Sequence, residues 1–426
     1  MNTASPTNVP GEWRVTTWGE EISLEYGKAI RDYATDRGAY RVFGTNGPVG
    51  WTESFLAPGP GVILGRKGAY RGVKFSAEPF WVIDTAYYVK PKSDLDMRWL
   101  YYAIQHHKLG EIDDGSPIPS TTRSAVYVKP LEVPPLVEQK RIAHILGTLD
   151  DKIELNRRMA ATLEEMARAL FKSWFVDFDP VRAKAEGRPT GLPPDIDALF
   201  PDCFEDSELG LVPAGWTVKH LGEIADLDKG LSYKGEGLAE EGGMPMINLG
   251  CFNGRGTFNA DRVKRYTGEY RERHLINAGD LVVANTDMTQ NRIIIGSPLL
   301  VPELNGAKQF LFTHHVFAVR FKHACKIWRR YVFFTLLKPQ FREIAEGFST
   351  GTTVLALPRD GLINYSICLP SIDVLEAFEE QIGPLLCAVD GNRHQTRTLT
   401  FLRDTLLPKL ISGEMSVGQT DSDEGT

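Results

Sequence analysis

Residues Pro134 to Phe175 read PPLVEQKRIAHILGTLDDKIELNRRMAATLEEMARALFKSWF, and their pattern decides the fold. Apolar or small residues recur in alternating steps of four and three: Ile142, Leu146, Leu149, Ile153, then Ala160, Leu163, Ala167, Leu170 and Trp174, interrupted by Asn156. That is a heptad seam. After Pro135 the run contains no proline and, of glycines, only Gly147, while Lys152, Glu154, Arg157, Glu164 and Arg168 fall off the seam. The stretch predicts one long amphipathic helix, roughly 55–60 Å from Val137 to Phe175 at about 1.5 Å per residue.

A seam of that length needs a partner, and the chain holds a second copy. One constant offset places Pro134 on Pro370, Ile142 on Phe378, Leu146 on Ile382, Gly147 on Gly383, Leu149 on Leu385 and Ile153 on Val389. It continues with Asn156 on Asn392, Leu163 on Leu399, Leu170 on Leu406 and Trp174 on Leu410. This internal repeat predicts an intramolecular coiled coil. The repeated asparagine favours a single register, because another pairing leaves a buried amide without its partner. Gly383, Pro384 and Gly391 predict a kink or break in the second helix.

A second duplication precedes each helix. Pro10, Trp13, Val15, Gly19, Glu20 and Gly27 match Pro213, Trp216, Val218, Gly222, Glu223 and Gly230 at one offset. Between these openings and the helices the halves diverge, sharing pattern more than residues. Short apolar runs such as 61–64, 80–83 and 87–89 alternate with turns, and Met97 to His107 reads as a helix, answered by one around Trp328 to Ala345. The expected fold is mixed α/β (α+β): two duplicated globular domains and two long helices paired as an antiparallel coiled coil, with the globules at its opposite ends. The expected boundaries are 1–135 and 213–370 for the globules, and 136–176 and 371–412 for the helices. An extended, acidic, Pro-rich connector covers 177–212, and a disordered tail 413–426.

Composition limits the function classes. At 426 residues the chain holds more than one domain. Its apolar runs fall far short of the roughly 20 residues that span a bilayer, and its polar start has no signal-peptide core, so a cytoplasmic, non-membrane protein is expected. Five scattered cysteines without a C-x-x-C pair argue against disulfides and zinc knuckles. The adjacent pairs His106–His107 and His314–His315 point in different directions and suit no metal. Net charge is −7, but the acids concentrate in 177–211 and 414–426, leaving the rest slightly positive. That charge permits a nucleic-acid partner without demanding one.

The segments VPPLVEQKRIAHILGTLDDKIELNRR, LFKSWFVDFDPVRAK and LRDTLLPKLISGEM, with GWTVKHLGEIADLDKG and GDLVVANTDMTQNR, resemble the DNA-specificity (S) subunit of type I restriction-modification systems. The likeness spans most of the chain and is thinnest over 32–55. It implies a non-catalytic subunit in which each globule is a target recognition domain reading one half of a split double-stranded DNA site. The helices would set the spacing and dock two methyltransferase (M) subunits. It further implies that these partners use S-adenosylmethionine to methylate adenine N6. With a translocase-nuclease (R) subunit, ATP and magnesium, the complex would cleave unmodified DNA, a defence against phage. This chain itself would bind no cofactor or metal and have no catalytic residue.

Donors on loops beside cations are the candidate DNA contacts. The run Arg66 to Lys74 carries Arg66, Lys67, Arg71 and Lys74 with Tyr70 and no acid, the plain alternative being a solvated basic turn. Thr121, Thr122 and Arg123 lead toward the first long helix, and Thr350, Thr352 and Thr353 occupy the matching place in the second half. Asn285, Thr286, Thr289, Gln290, Asn291 and Arg292 offer amides suited to adenine and an arginine suited to guanine, although amide-rich loops are commonly turn formers. Tyr233 and Lys234 complete the set. The seam positions are read as core.

Enzyme readings fail on their motifs. A DNA methyltransferase needs an Asn- or Asp-Pro-Pro-aromatic tetrapeptide, and the pairs here, Val133-Pro134-Pro135-Leu136 and Leu192-Pro193-Pro194-Asp195, lack both ends of it. Asp150-Asp151-Lys152 suggests a nuclease, but neighbours on a helix point apart, so these read as surface charges. The sequence contains no P-loop. The remaining rival is a duplicated protein-binding scaffold with no DNA role. Steep salt dependence of binding separates DNA from a mainly apolar protein contact.

Overall fold

The computed structural model describes residues 13–34, 36–68, 70–112, 119–254, 256–288, 293–304, 306–322, 327–348 and 355–417. The chain forms two compact units, residues 1–158 with 392–426, and residues 159–391. Each unit therefore contains part of both long helices.

The first unit opens with β1 (Arg14–Thr17), α1 (Trp18–Glu21) and β2 (Ile22–Tyr26). There follow β3 (Tyr40–Gly44), β4 (Gly47–Thr52), β5 (Gly61–Gly65), β6 (Val73–Ser76), β7 (Phe80–Val82) and β8 (Ala86–Pro91). Then come α2 (Met97–His106), α3 (Arg123–Tyr127), β9 (Pro130–Val133) and the 40-residue helix α4 (Leu136–Phe175). An antiparallel sheet has the order β2-β8-β5-β6, a second has β4-β3-β7, and β1 pairs with β9. All of β5 is buried, with α2 packed against it. Trp18, Leu24, Leu64, Trp99 and Ile104 form one apolar core with Ile142 and Leu146 of α4. Leu410 and Ile411, from the end of a second 40-residue helix (Ile372–Ile411), close the same core.

The second unit begins with the end of α4, then α5 (Asp179–Ala185), α6 (Pro194–Asp197), and the hairpin β10 (Phe204–Ser207) and β11 (Gly210–Pro213). Its opening frame is β12 (Thr217–His220), α7 (Leu221–Ile224) and β13 (Ala225–Lys229). The middle contains β14 (Leu238–Ala239), β15 (Met244–Ile247), β16 (Lys264–Tyr266), β17 (Leu275–Asn277), β18 (Leu281–Ala284), β19 (Thr286–Asp287), β20 (Pro298–Leu300), β21 (Gln309–Phe312) and β22 (Val316–Phe321). Then α8 (Ile327–Leu336), α9 (Pro339–Phe348), β23 (Leu355–Ala356), α10 (Arg359–Ile363) and β24 (Ser366–Leu369) lead into α11, the helix Ile372–Ile411.

The two frames correspond element by element. β12 pairs with β24 as β1 pairs with β9, and the order β13-β22-β18-β20 repeats β2-β8-β5-β6. The repeated residues explain themselves here. Glu20 accepts the Thr17 N–H at 3.1 Å and Glu223 the His220 N–H at 2.8 Å, each capping its short helix. A Cβ on Gly27 would lie 2.0 Å from the Ile83 carbonyl oxygen, and one on Gly230 2.3 Å from that of Phe312, so both strands end against backbone. The middles differ: three strands in the first unit, and in the second a five-stranded sheet β14-β16-β15-β21-β17.

Within each unit the long helices run antiparallel. In the first, Ile142 and Leu146 share a core with Leu410 and Ile411, Arg403 Nη1 meets Asp150 Oδ1 at 2.7 Å, and Asn156 Nδ2 donates to Gln395 Oε1 at 2.8 Å. In the second, the Phe378 ring lies 6.0 Å from Phe171, 5.9 Å from Trp174 and 4.9 Å from Phe175, so the rings that end α4 are core. Along α4, Ile142, Leu146, Ile153, Asn156, Ala160, Ala167 and Trp174 are buried, with Leu149, Leu163 and Leu170 half-buried. On α11, Phe378, Ile382 and Val389 are buried, with Leu385, Asn392, Leu399 and Leu406 half-buried.

Four expectations are corrected. Asn156 pairs with Gln395 and not with Asn392, because antiparallel pairing anchored at Asp150 and Arg403 brings Asn156 opposite the turn that holds Gln395, beyond Asn392. α11 runs without a break through Gly383, Pro384 and Gly391. Pro384 and the residue whose carbonyl it orphans, Glu380, both face solvent, where water replaces the lost bond. Residues 177–212 are not an extended connector: Val181, Phe200 and Val212 are buried, and the Phe200 ring stands 5.0 Å from Trp174. Of the two acids read as surface charges, Asp151 is exposed, with Arg98 beside it, whereas Asp150 is half-buried and accepts from Tyr102 at 2.7 Å. The tail from 418 onward lies outside the described residues.

Candidate nucleic-acid interface

In the first unit, β5 ends at Gly65 and the chain turns back through the basic run. The return is tied to the segment before α3: Thr121 N–H donates to the Arg66 carbonyl at 2.9 Å, Gly68 N–H to the Pro119 carbonyl at 3.0 Å, and Lys67 bridges Ser120. Gly68 has φ +109° and open space where a Cβ would be, so the turn uses glycine for its backbone angle. The basic run and the segment of Thr121 to Arg123, distant in sequence, are thus neighbours at one end of the sheet.

Arg71 fixes this junction. Its guanidinium donates to the carbonyls of Gly68 at 2.7 Å, Gly110 at 2.8 Å and Ile112 at 3.0 Å, and to Thr121 Oγ1 at 3.1 Å. Arg71 and the buried Thr121 are therefore internal supports of the loop, not exposed donors, which corrects the sequence expectation. Thr122 caps α3, its hydroxyl accepting from Ala125 N–H at 3.3 Å.

The exposed chemistry gathers around Tyr26, at the end of β2. Tyr26 is 46% exposed, and its ring lies 5.1 Å from that of Tyr87, with Arg66 at 4.8 Å and Arg123 at 4.1 Å from its centroid. Burial, then the hydrogen bond with Tyr26, pushes the Tyr87 phenol up to about 12. Arg66 also donates to the Asp84 carbonyl at 2.9 Å, and Arg123 stands 3.9 Å from Glu25. Lys67 and Lys74 are exposed, and Tyr70 is 79% exposed. Two guanidiniums on a tyrosine platform, with exposed Lys67 and Tyr70 on the loop that follows Arg66, suit a phosphate backbone and unstacked or edge-on bases. Tyr26 was missed by sequence reasoning; its signal was an aromatic opposite Tyr87 in the strand pattern.

The second unit repeats the placement with different groups. β18 corresponds to β5, and the chain after it pairs with the segment before α10: Thr286 with Ala356 and Asp287 with Leu355. Asn285 and Thr286 are buried, which corrects their reading as exposed amide and hydroxyl. Asn285 Nδ2 donates to the His314 carbonyl at 3.2 Å, its Oδ1 accepts from Thr286 Oγ1 at 2.7 Å, and Thr286 meets His315 Nδ1 at 3.1 Å. Burial, then nearby cations and His314, holds the His315 imidazole below its usual range. Met288 beyond them is 60% exposed. Thr289, Gln290, Asn291, Arg292, Thr350, Thr352 and Thr353 lie outside the described residues. Tyr233 packs in a small core with Met246, Tyr266 and Leu311 and accepts from Lys264 Nζ at 2.7 Å, while Lys234 is exposed. Among the described residues no acid, histidine or cysteine cluster could hold a metal, and no helix is long and apolar enough to cross a membrane.

Residues 10–165 and 213–393 match the family described as the type I restriction modification DNA specificity domain, so the match covers both repeats. The specificity subunit of the type I restriction enzyme MjaIX from Methanocaldococcus jannaschii is 26% identical over 339 residues, 77% of this chain and 71% of that protein. The HindI specificity subunit from Haemophilus influenzae is 25% identical over 348 residues, 70% of this chain and 71% of that protein. In fold, a type I restriction-modification S subunit from M. genitalium superposes with a TM-score of 0.63 at 17% identity, covering 96% of this chain and 98% of the other.

Proposed function

This chain belongs to the type I restriction modification DNA specificity family, and from that premise we propose that it is the DNA-recognition subunit of such a complex. Each unit reads one half of a split double-stranded target, and α4 with α11 sets the separation of the halves. The chain contributes recognition and no bond-making chemistry. Methyltransferase subunits, two per chain, dock on it and supply S-adenosylmethionine-dependent adenine methylation. A translocase-nuclease subunit adds ATP- and magnesium-dependent cleavage, and the complex works in the cytoplasm.

The observation that carries this reading is the duplicated frame with dissimilar loops at one shared position. In both units the turn after the buried central strand is joined to the segment before the short helix. In the first unit it presents arginines on Tyr26, and in the second Met288 beyond a buried Asn–Thr–His network. A common scaffold carrying two chemistries is what reading two different half-sites requires.

The test is methylation of genomic DNA by the purified chain with its cognate methyltransferase and labelled S-adenosylmethionine, mapping modified adenines by sequencing. One split motif, lost when this chain is omitted, is expected. No motif, with DNA binding that does not weaken as salt rises, would favour the protein scaffold.

A further inference from the structure

Gly147 and Gly383 occupy the same position in the two helix copies, although glycine is a poor helix former. Each lies beneath an arginine from the helix that covers its own unit's sheet. Arg98 of α2 lies across Gly147 so closely that a Cβ there would fall 2.6 Å from Nε and 2.7 Å from Cζ. Its Nη2 donates to the Gly147 carbonyl at 3.0 Å and its Nη1 to Asp151 Oδ2, one turn further along α4, at 3.0 Å. In the second unit Arg330 of α8 approaches Gly383, its Nη1 3.5 Å from a Cβ built there, and pairs with Glu379 one turn earlier along α11. Arg98 and Arg330 have similar side-chain exposures, 29% and 31%.

We propose that Arg98 and Arg330 are positioning residues that fix the rotation of each recognition domain on its long helix, and so the separation of half-sites the protein accepts. The inference rests on the DNA-recognition reading above. Beside the apolar core, whose burial is non-directional, α4 meets the first globule through single hydrogen bonds from Trp13 to Glu138, from the Asp96 amide to Gln139 and from Tyr102 to Asp150, whereas Arg98 spans two acceptors a turn apart on the helix. The Arg98 guanidinium, shared between a carbonyl and a carboxylate, and the Arg330 guanidinium, on the Glu379 carboxylate, make directional, planar contacts. Glycine lets that plane rest on the helix backbone, where any side chain at Gly147 would lift it.

The experiment uses the full chain with its methyltransferase on duplexes carrying the mapped target, with the half-site separation natural or changed by one base pair. Wild type is expected to prefer the natural separation strongly. Arg98→Ala, Arg330→Ala and Gly147→Ala should each lower that preference by about two- to fivefold, the scale of a half-exposed ion pair. Affinity for duplexes with one half-site scrambled should stay unchanged. Gly147→Ala is the decisive variant, since alanine favours the helix and its effect is not a folding failure. Gly383→Ala, whose Cβ would meet Arg330 at ordinary contact distance, should keep the wild-type preference. Wild-type spacing preference in folded Arg98→Ala and Gly147→Ala would overturn the positioning role. A wild-type complex that ignores separation altogether would instead overturn the split-target reading, and this inference with it.

Discussion

Replacing Arg71 by alanine separates a loop support from a phosphate contact. The guanidinium donates to three carbonyls and one hydroxyl, joining 68, 110–112 and 121 around the base of the exposed loop. A hydrogen bond to a charged group contributes about 1.5–3 kcal/mol when buried. Arg71 is half-buried, and after truncation water reaches the Gly68 and Ile112 carbonyls, while the Gly110 residue and Thr121 are buried. The expected loss is therefore about 2–3 kcal/mol, well below the sum of four such bonds. In a unit of this size that lowers the melting temperature by roughly 5–10 °C. Calorimetry should show the first unit's transition moving and the second's unchanged. DNA affinity should fall as the loop loosens, but the slope of log K against log salt should not change, because no phosphate partner is removed. Arg71→Lys should not restore the wild type, since an ammonium cannot span the fork of acceptors. A salt slope shallower by about one with an unchanged melting temperature would refute the reasoning and place Arg71 on the phosphate backbone.

Arg66→Gln and Arg123→Gln should do the opposite, each reducing the salt slope by about one while moving the melting temperature little; fluorescence anisotropy over a salt series checks both. Asn156→Leu should stabilise the helix pair by about 1 kcal/mol in urea unfolding, because the Asn156 Oδ1 is buried without a partner while Gln395 is exposed and can turn to water. Burial holds His107 at about 4, below its ordinary 6.5. The unfolded chain therefore takes up this proton first as pH falls, and the stabilisation, intact above pH 6.5, is lost toward pH 4. Comparing unfolding free energies at pH 7.5 and 5 should show His107→Gln removing about 2 kcal/mol of the pH dependence.

The helices and the duplication were legible because both are periodic. A heptad seam repeats its evidence many times, and a constant offset that also returns Gly147 on Gly383 and Glu20 on Glu223 is hard to produce otherwise. What stayed hidden was the identity of hydrogen-bond acceptors. Arg71 looks as suited to phosphate as Arg66 until the fold brings three carbonyls to it. Asn285 and Thr286 look like exposed turn residues, yet the chain continues from β18 into β19 and carries them inside. In 177–212, prolines and acids suggested extension because the few apolar residues that anchor it, Val181, Phe200 and Val212, are too widely spaced to show a period. Pro384 does not break α11 for a related reason: whether a proline stops a helix depends on which face it occupies, and here the face is wet.

The same network has a consequence for how recognition can vary. The central strand beneath the loop, Gly61–Gly65, is wholly buried, so the frame tolerates little change there. Beyond it, Tyr70 and Lys67 touch solvent, and substitutions at such positions alter surface chemistry at small energetic cost. Yet the loop is not independent of its neighbour, because Arg71, the Thr121 amide and the Lys67–Ser120 bridge tie 66–68 and 71 to 119–121. Two such segments must change together or keep their shared contacts, since exchanging one alone would strand buried carbonyls. The divergence between the two units has this character: in the second, a short strand pair, Thr286–Asp287 with Leu355–Ala356, replaces both the arginine network and its acceptors. Each reader has kept the junction and rebuilt both of its sides.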